Sequence, residues 1–135
     1  MNRWYVRYLP AFEASPMTFW VHRAVGTHAW YQAGAFDPPL PPAVPGQGFP
    51  VFVVETSGMV FRFASLFELD TAIAVLGQRH LPSTDRDDAE HHAGPNTHWL
   101  NRLPPAIMRW ERRQRVVRVL ERARAAFAAG ETAGP

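Results

Sequence analysis

The sequence predicts an α+β fold, in which a mainly antiparallel sheet of four or five strands carries two helices packed on one face. Three observations predict it: a tight hairpin pattern near the middle, a serine-capped apolar helix directly after it, and a long C-terminal run free of helix breakers. The 135 residues are 47% hydrophobic, which is enough for one core. We expect one compact domain over residues 1–129 and a disordered tail at 130–135.

The central hairpin carries the clearest local pattern. Two runs of β-forming residues, 49–56 and 59–64, are separated by Ser57 and Gly58, the spacing of a two-residue turn in which glycine tolerates positive φ. This spacing fixes the register of the two strands. The predicted cross-strand pairs are Thr56 with Met59, Val54 with Phe61, Phe52 with Phe63, Glu55 with Val60 and Val53 with Arg62.

The N-terminal third predicts further strands. Residues 3–9, 17–25 and 28–33 are rich in aromatic and β-branched side chains and are read as strands. Residues 37–50 contain six prolines and are predicted to be a loop with polyproline II character. Two side-chain types in this third also have a functional reading. His22 and His28 are expected at a sheet edge or in packing contacts. Trp4, Trp20 and Trp30 are expected in the core; the alternative is that their rings face solvent and stack on nucleic-acid bases.

Two helices follow the hairpin. Ser65 stands three residues before Glu68, the pattern of a capping box, and Gly77 is a natural stop. The apolar residues between them have helical spacing, so this helix should fold back over the aromatic face of the hairpin. After a polar loop at 82–98 and one helical turn at 99–103, a second helix is predicted from Pro105 to about residue 129.

Positive charge is concentrated in the second helix. Eight arginines and two glutamates lie between residues 101 and 124, a local balance of 8 − 2 = +6, and every one of the 14 basic residues of the chain is arginine. Helical arginines meet phosphate oxygens in bidentate fashion. Arg115, Arg118 and Arg122 are predicted to share the face opposite the apolar stripe. The alternative is a solvated face on which Glu111 pairs with Arg115, and Glu121 with neighbouring arginines.

Histidines and acids are concentrated in a different segment, at residues 80–98. The group comprises His80, His91, His92, His98, Asp85, Asp87, Asp88 and Glu90. Their spacing matches no motif that presents two metal ligands from one rigid element, so we predict neither a metal nor a cofactor. A Gly-Pro bend just before Asn96 is expected to present Asn96, His98 and Trp99 together at the mouth of a groove.

Composition excludes several classes of protein. The absence of cysteine excludes a disulfide framework, and the absence of lysine excludes the phosphate loop that depends on it. No apolar run approaches the roughly 20 residues of a membrane span, and the N-terminus lacks the apolar stretch of a signal peptide. We therefore expect a cytoplasmic protein of bacterial type, with no membrane partner.

These patterns favour a small, non-enzymatic regulatory module that binds nucleic acid, or an acidic surface of a nucleic-acid-handling complex, through the C-terminal helix. The alternative is an inhibitor, immunity or anti-defence protein that acts through an aromatic sheet face or the proline-rich loop, with a possible homodimer. A metal- or histidine-dependent enzyme that uses residues 80–98 ranks third. The candidate binding residues are Arg109, Arg112, Arg115, Arg118, Arg122, Asn96, His98, Trp99 and Arg102.

Overall fold

A four-stranded antiparallel sheet organises the protein, whose computed structural model describes residues 1–27, 29–81 and 99–135. Its strands lie in the order β5-β4-β1-β6, and a separate two-stranded sheet pairs β2 with β3. The strand bounds are β1 Arg3–Leu9, β2 Arg23–Ala24, β3 Phe36–Asp37, β4 Phe49–Thr56, β5 Met59–Phe63 and β6 Ala133–Gly134. The predicted α+β class is confirmed.

The β4–β5 hairpin has the predicted register at every cross-strand pair, including Phe52 with Phe63 and Val54 with Phe61. Ser57 and Gly58 both adopt positive φ, 54° and 74°, as the turn that matches strand twist requires. Strand β1 pairs antiparallel with the other edge of β4 and places Trp4 opposite Val54. Strand β1 therefore extends the hairpin into a larger sheet that has an aromatic face on one side.

The described residues contain three α-helices: α1 Thr18–Val21, α2 Leu66–Leu76 and α3 Trp110–Ala128. Helix α2 begins as predicted, because the Ser65 hydroxyl accepts a hydrogen bond from the Glu68 amide. Helix α3 begins later than Pro105, which instead opens a 3₁₀ turn. A side-chain nitrogen of Arg113 binds the Met108 carbonyl at 2.7 Å, so that oxygen does not continue the helical ladder.

Helices α2 and α3 cover the aromatic face of the sheet. The rings of Phe52 and Phe127 meet with centroids 5.1 Å apart, and Phe63 is buried beneath the helices. Leu69 and Leu120 have no exposed surface. Each such aliphatic or aromatic side chain contributes roughly 1.5–3 kcal/mol of transfer free energy on burial. The predicted sealing of the hairpin by the two helices is thus confirmed.

Two strands predicted in the N-terminal third are wrong. Residues 17–25 form α1 and only the short β2, because Ser15 and Thr18 cap the helix reciprocally: the Thr18 amide donates to the Ser15 carbonyl and the Ser15 amide to the Thr18 hydroxyl. Residues 28–33 hold a 3₁₀ turn at Trp30–Gln32, while His28 lies outside the described residues. Local capping and aromatic packing override β-propensity here.

The expected disordered tail is also wrong. Residues 130–135 turn back at Gly130, whose φ is 84°, and Ala133–Gly134 pairs with β1 as the fourth strand. Trp4 lies so close to Gly134 that a Cβ atom there would come within 2.1 Å of the indole nitrogen. The end of the chain therefore packs against a core aromatic ring, and only a residue without a side chain fits this position.

The Gly134→Ala substitution tests this packing. We expect it to lower the free energy of unfolding by about 1–3 kcal/mol, because Trp4 or β6 must move to admit the methyl group. Urea unfolding measures the change. The matched control is Gly34→Ala, since nothing lies within 4 Å of a Cβ atom at Gly34. Equal stability of the two variants would contradict the observed position of β6.

Candidate functional site

Five arginines form the most strongly charged surface of α3 and its N-terminal cap. They are Arg109, Arg112, Arg115, Arg118 and Arg122, together called the arginine ridge. All five are exposed. The opposite side of the helix is buried against the sheet and α2 through residues that include Val116, Leu120 and Ala123. The helical period of 3.6 residues places the two sets on different faces.

The ridge arginines are not neutralised by carboxylates in the described part of the chain. The predicted pair between Glu111 and Arg115 does not form, and Glu121 also has no ion pair with an arginine there. Asp70 of α2 does reach α3, where it binds Arg124 at 2.7 Å. Arg124 lies outside the ridge, so this pair joins the two helices and leaves the ridge charges available.

One end of the ridge is fixed against the core. The Arg122 guanidinium lies over the Trp4 ring, 5.3 Å from its centroid. Trp4 is itself buried, and so is Trp30, so neither ring is available for base stacking on a sheet face. A cation above an aromatic ring is attracted by the negative face of the ring. Arg122 therefore combines a packing contact with an exposed charge.

Arg113, a member of the same positive segment, has a different role because it is buried, at 5% exposure. Its guanidinium donates to the carbonyl oxygens of Leu76, Gln78 and Arg79, where α2 ends, and to that of Met108. Burial, together with the charge of Arg79, lowers the pKa of Arg113. Its position in the helix could have predicted this burial, since Arg113 lies three residues before Val116 on the apolar stripe.

The remaining predicted binding residues are not gathered on the ridge. Arg102 is exposed on a 3₁₀ turn, Trp99–Arg102, that precedes α3. Trp99 packs in the core at 6% exposure instead of facing solvent. Asn96 and His98, with the rest of the histidine-rich loop at 82–98, lie outside the described residues.

A buried polar cluster, which sequence reasoning did not predict, connects α1 to α2. Glu68 and His22 have no exposed surface, and the His22 Nε2 atom lies 3.4 Å from a Glu68 carboxylate oxygen. The carboxylate also accepts hydrogen bonds from the Ser15 and Thr18 hydroxyls and from the Ala64 amide. In the predicted capping box the Glu68 carboxylate would accept a hydrogen bond from the backbone amide of Ser65, the cap residue. In the structure it binds the segment that holds Ser15 and Thr18.

His22 is held at both ring nitrogens. Nδ1 donates to the Pro38 carbonyl at 2.7 Å, and Nε2 lies 2.7 Å from the Ser65 hydroxyl. Burial by itself lowers the pKa of His22, but hydrogen bonding to Glu68 and Pro38 and the charge of Glu68 outweigh it, so that the pKa is raised above 6.5. A carbonyl partner at one nitrogen and a carboxylate near the other suit the protonated ring.

Comparison with known proteins gives no relative for this chain: no family model matches it, and the searches of curated proteins and of solved structures found no significant match. Among residues 1–27, 29–81 and 99–135, no three metal-ligating side chains are grouped. In the same part of the chain no helix has the length and apolarity needed to cross a membrane.

The role of Arg113 can be separated from that of its neighbour on the ridge. We expect Arg113→Met to lower the free energy of unfolding by about 2–4 kcal/mol, because four carbonyl oxygens lose a charged donor in the interior. Arg112→Met, one residue away and exposed, should change it by less than about 0.5 kcal/mol. Urea unfolding of both variants measures the change, and a similar loss of stability in both would contradict the structural role of Arg113.

The His22 cluster predicts a pH dependence of stability. Because the folded-state pKa is raised, the contribution of His22 is complete below about 6.5, the ordinary histidine pKa, and is lost as the pH rises through the folded value. The difference in unfolding free energy between the natural chain and His22→Gln should therefore shrink with rising pH across this window. Urea unfolding of the two chains at a series of pH values measures the difference, and a difference that stays constant across the window would contradict the role assigned to His22.

Proposed function

We propose that this chain is a non-catalytic binding protein that binds the phosphate backbone of nucleic acid through the arginine ridge of α3. The observation that supports the proposal is a row of five exposed arginines without carboxylate partners in the described part of the chain. Unpaired guanidinium groups on a rigid helix give up only water and counterions when a phosphate arrives.

The spacing of the ridge suits a phosphate row. Arg112 to Arg122 spans ten residues, or about 15 Å of helix axis, whereas one nucleic-acid strand carries a phosphate about every 3.4 Å. Several phosphates therefore come within reach of the ridge at once. Arginines on the ridge are suited to contact phosphates, and phosphate contacts position a protein on nucleic acid without recognising the base sequence. Binding is accordingly expected to depend on charge and to show little base preference.

The experiment measures fluorescence anisotropy of labelled single- and double-stranded oligonucleotides over a series of salt concentrations. Changing Arg115, Arg118 and Arg122 together to Gln should weaken binding. It should also make the slope of log affinity against log salt shallower by about 3, since each phosphate contact contributes about 1. Mixed-sequence and homopolymer probes should bind within a few-fold of each other.

A second triple variant provides the matched control. Arg3, Arg7 and Arg62 lie on the opposite face of the sheet, and changing them to Gln takes the net charge from +2 to 2 − 3 = −1, the same value as in the ridge variant. This control should retain the natural salt slope. If both triples lose binding equally, the ridge is not the specific binding surface. If neither oligonucleotide binds, an acidic protein surface replaces nucleic acid as the partner to test.

A further inference from the structure

A pocket of about 230 Å³ lies on the face of the sheet that the helices leave open. Its floor is formed by side chains of β1, β4 and β5, among them Arg7, Val51 and Arg62, and the segment that holds Glu13 and Ser15 forms one side. Pockets for drug-sized ligands typically enclose roughly 300–1,000 Å³, so this one suits a smaller molecule. It lies away from the arginine ridge, across the sheet.

The two arginines of the pocket lie on opposite sides of β4. Arg7 on β1 is opposite Val51, and Arg62 on β5 is opposite Val53. Val53 is only 1% exposed although it faces away from α2 and α3, which indicates that its cross-strand neighbours Tyr5 and Arg62 cover it. Arg62 lies beside Val53 in this register, and long basic side chains pack their methylene groups on such apolar surface.

Neither arginine of the pocket has an internal partner within the described residues. Arg3 on the same face differs, because it binds the Glu55 carboxylate at 3.0 Å, where the Tyr5 hydroxyl also donates. Hydrogen bonding from Arg3 lowers the pKa of Glu55. Arg7 and Arg62 have no such carboxylate within ion-pair distance in the part of the chain that is described, although Glu13 lines the same pocket. Two arginines thus line one small space, and neither forms an ion pair within the described residues.

We propose that this pocket binds a small ligand that carries a phosphate or carboxylate group, with Arg7 and Arg62 donating to its oxygens. Such charge-assisted bonds are the strong ones, and the planar guanidinium suits both oxyanions. This site goes beyond the nucleic-acid interface, because it uses a different face and a different set of arginines.

The acidic groups near the pocket define how the ligand lies. Ser15 donates its proton to Glu68 and accepts the Met17 amide, so its hydroxyl has no proton left for an anion. The oxyanion therefore lies on the Arg7 and Arg62 side. Glu13 is left to accept from a hydroxyl or ammonium group at the other end of the ligand.

Titration of the ¹⁵N-labelled full chain with inorganic phosphate, and separately with acetate, tests the proposal by NMR. Saturable shifts are expected at the amides of Leu9, Ser15 and Val51, and the anion that saturates at lower concentration identifies the preferred oxyanion. Arg62→Met should weaken binding about tenfold, the effect of losing one hydrogen bond between charged groups. Arg3→Met, which removes a paired arginine from the same face, should leave it unchanged.

Three results would overturn the site: shifts restricted to the amides of α3, no saturable shift with either anion, or affinities that Arg62→Met and Arg7→Met both leave unaltered. Arg62→Lys retains the charge without the planar fork and measures the site even if Arg62→Met lowers stability. The ridge triple variant should bind the anion as the natural chain does. That comparison separates failure of this pocket from failure of the nucleic-acid proposal.

Discussion

The burial of the aromatic face of the β4–β5 hairpin under α2 and α3 determines the rest of the structure. Phe52, Phe61 and Phe63 cannot remain in water together, and the helices that cover them need the same protection for their own apolar stripes. Because one side of α3 packs in this contact, the rotation of the helix about its own axis is fixed. The side that carries the arginine ridge must then face solvent.

Arginine serves two different purposes in the same helix, and burial decides between them. Arg113 lies inside, where a carboxylate partner would have to lose its hydration as well; its partners are instead carbonyl oxygens at the negative end of α2. The ridge arginines remain exposed and have no carboxylate partner in the described residues, which costs little desolvation and leaves their N–H groups accessible to solvent. Of the +6 balance read from the sequence, part is therefore structural, since Arg113 and Arg124 are committed to internal contacts.

Sequence reasoning succeeded where a short-range rule determines the structure. A two-residue turn permits one register, so the pairing of Phe52 with Phe63 followed from counting, and the Ser65 cap located the start of α2. It failed where distant residues decide. The position of β6 depends on the fit of Gly134 against Trp4, residues at opposite ends of the chain, and no local pattern announces such a contact.

The same distinction applies to the candidate site. Exposure of Arg115, Arg118 and Arg122 follows from helical periodicity, whereas the pairing of Arg124 with Asp70 requires knowing that α2 lies alongside. The pocket at Arg7 and Arg62 was not predicted at all, because it forms only when three strands and the segment before α1 come together. Alternation along β1 indicates which residues share a face, but not which of them form an ion pair with a carboxylate.

Helix α2 is one element that connects the two basic surfaces. Its first turn carries Glu68, which binds Ser15 at the side of the pocket, and two residues later Asp70 binds Arg124 on α3. The ends of this connection differ in character: Glu68 is fully buried and held by several donors, while Asp70 is exposed and its ion pair is open to solvent. Because an exposed pair contributes little rigidity, the firm attachment of α2 to α3 comes from their apolar contact and from the buried Arg113 guanidinium, which donates to carbonyl oxygens at the end of α2. An influence of a ligand at Arg7 and Arg62 on the ridge has two routes. One is β1, whose Trp4 ring lies under the Arg122 guanidinium, and the other is the apolar contact of α2 with α3, in which Leu69 and Leu120 are buried.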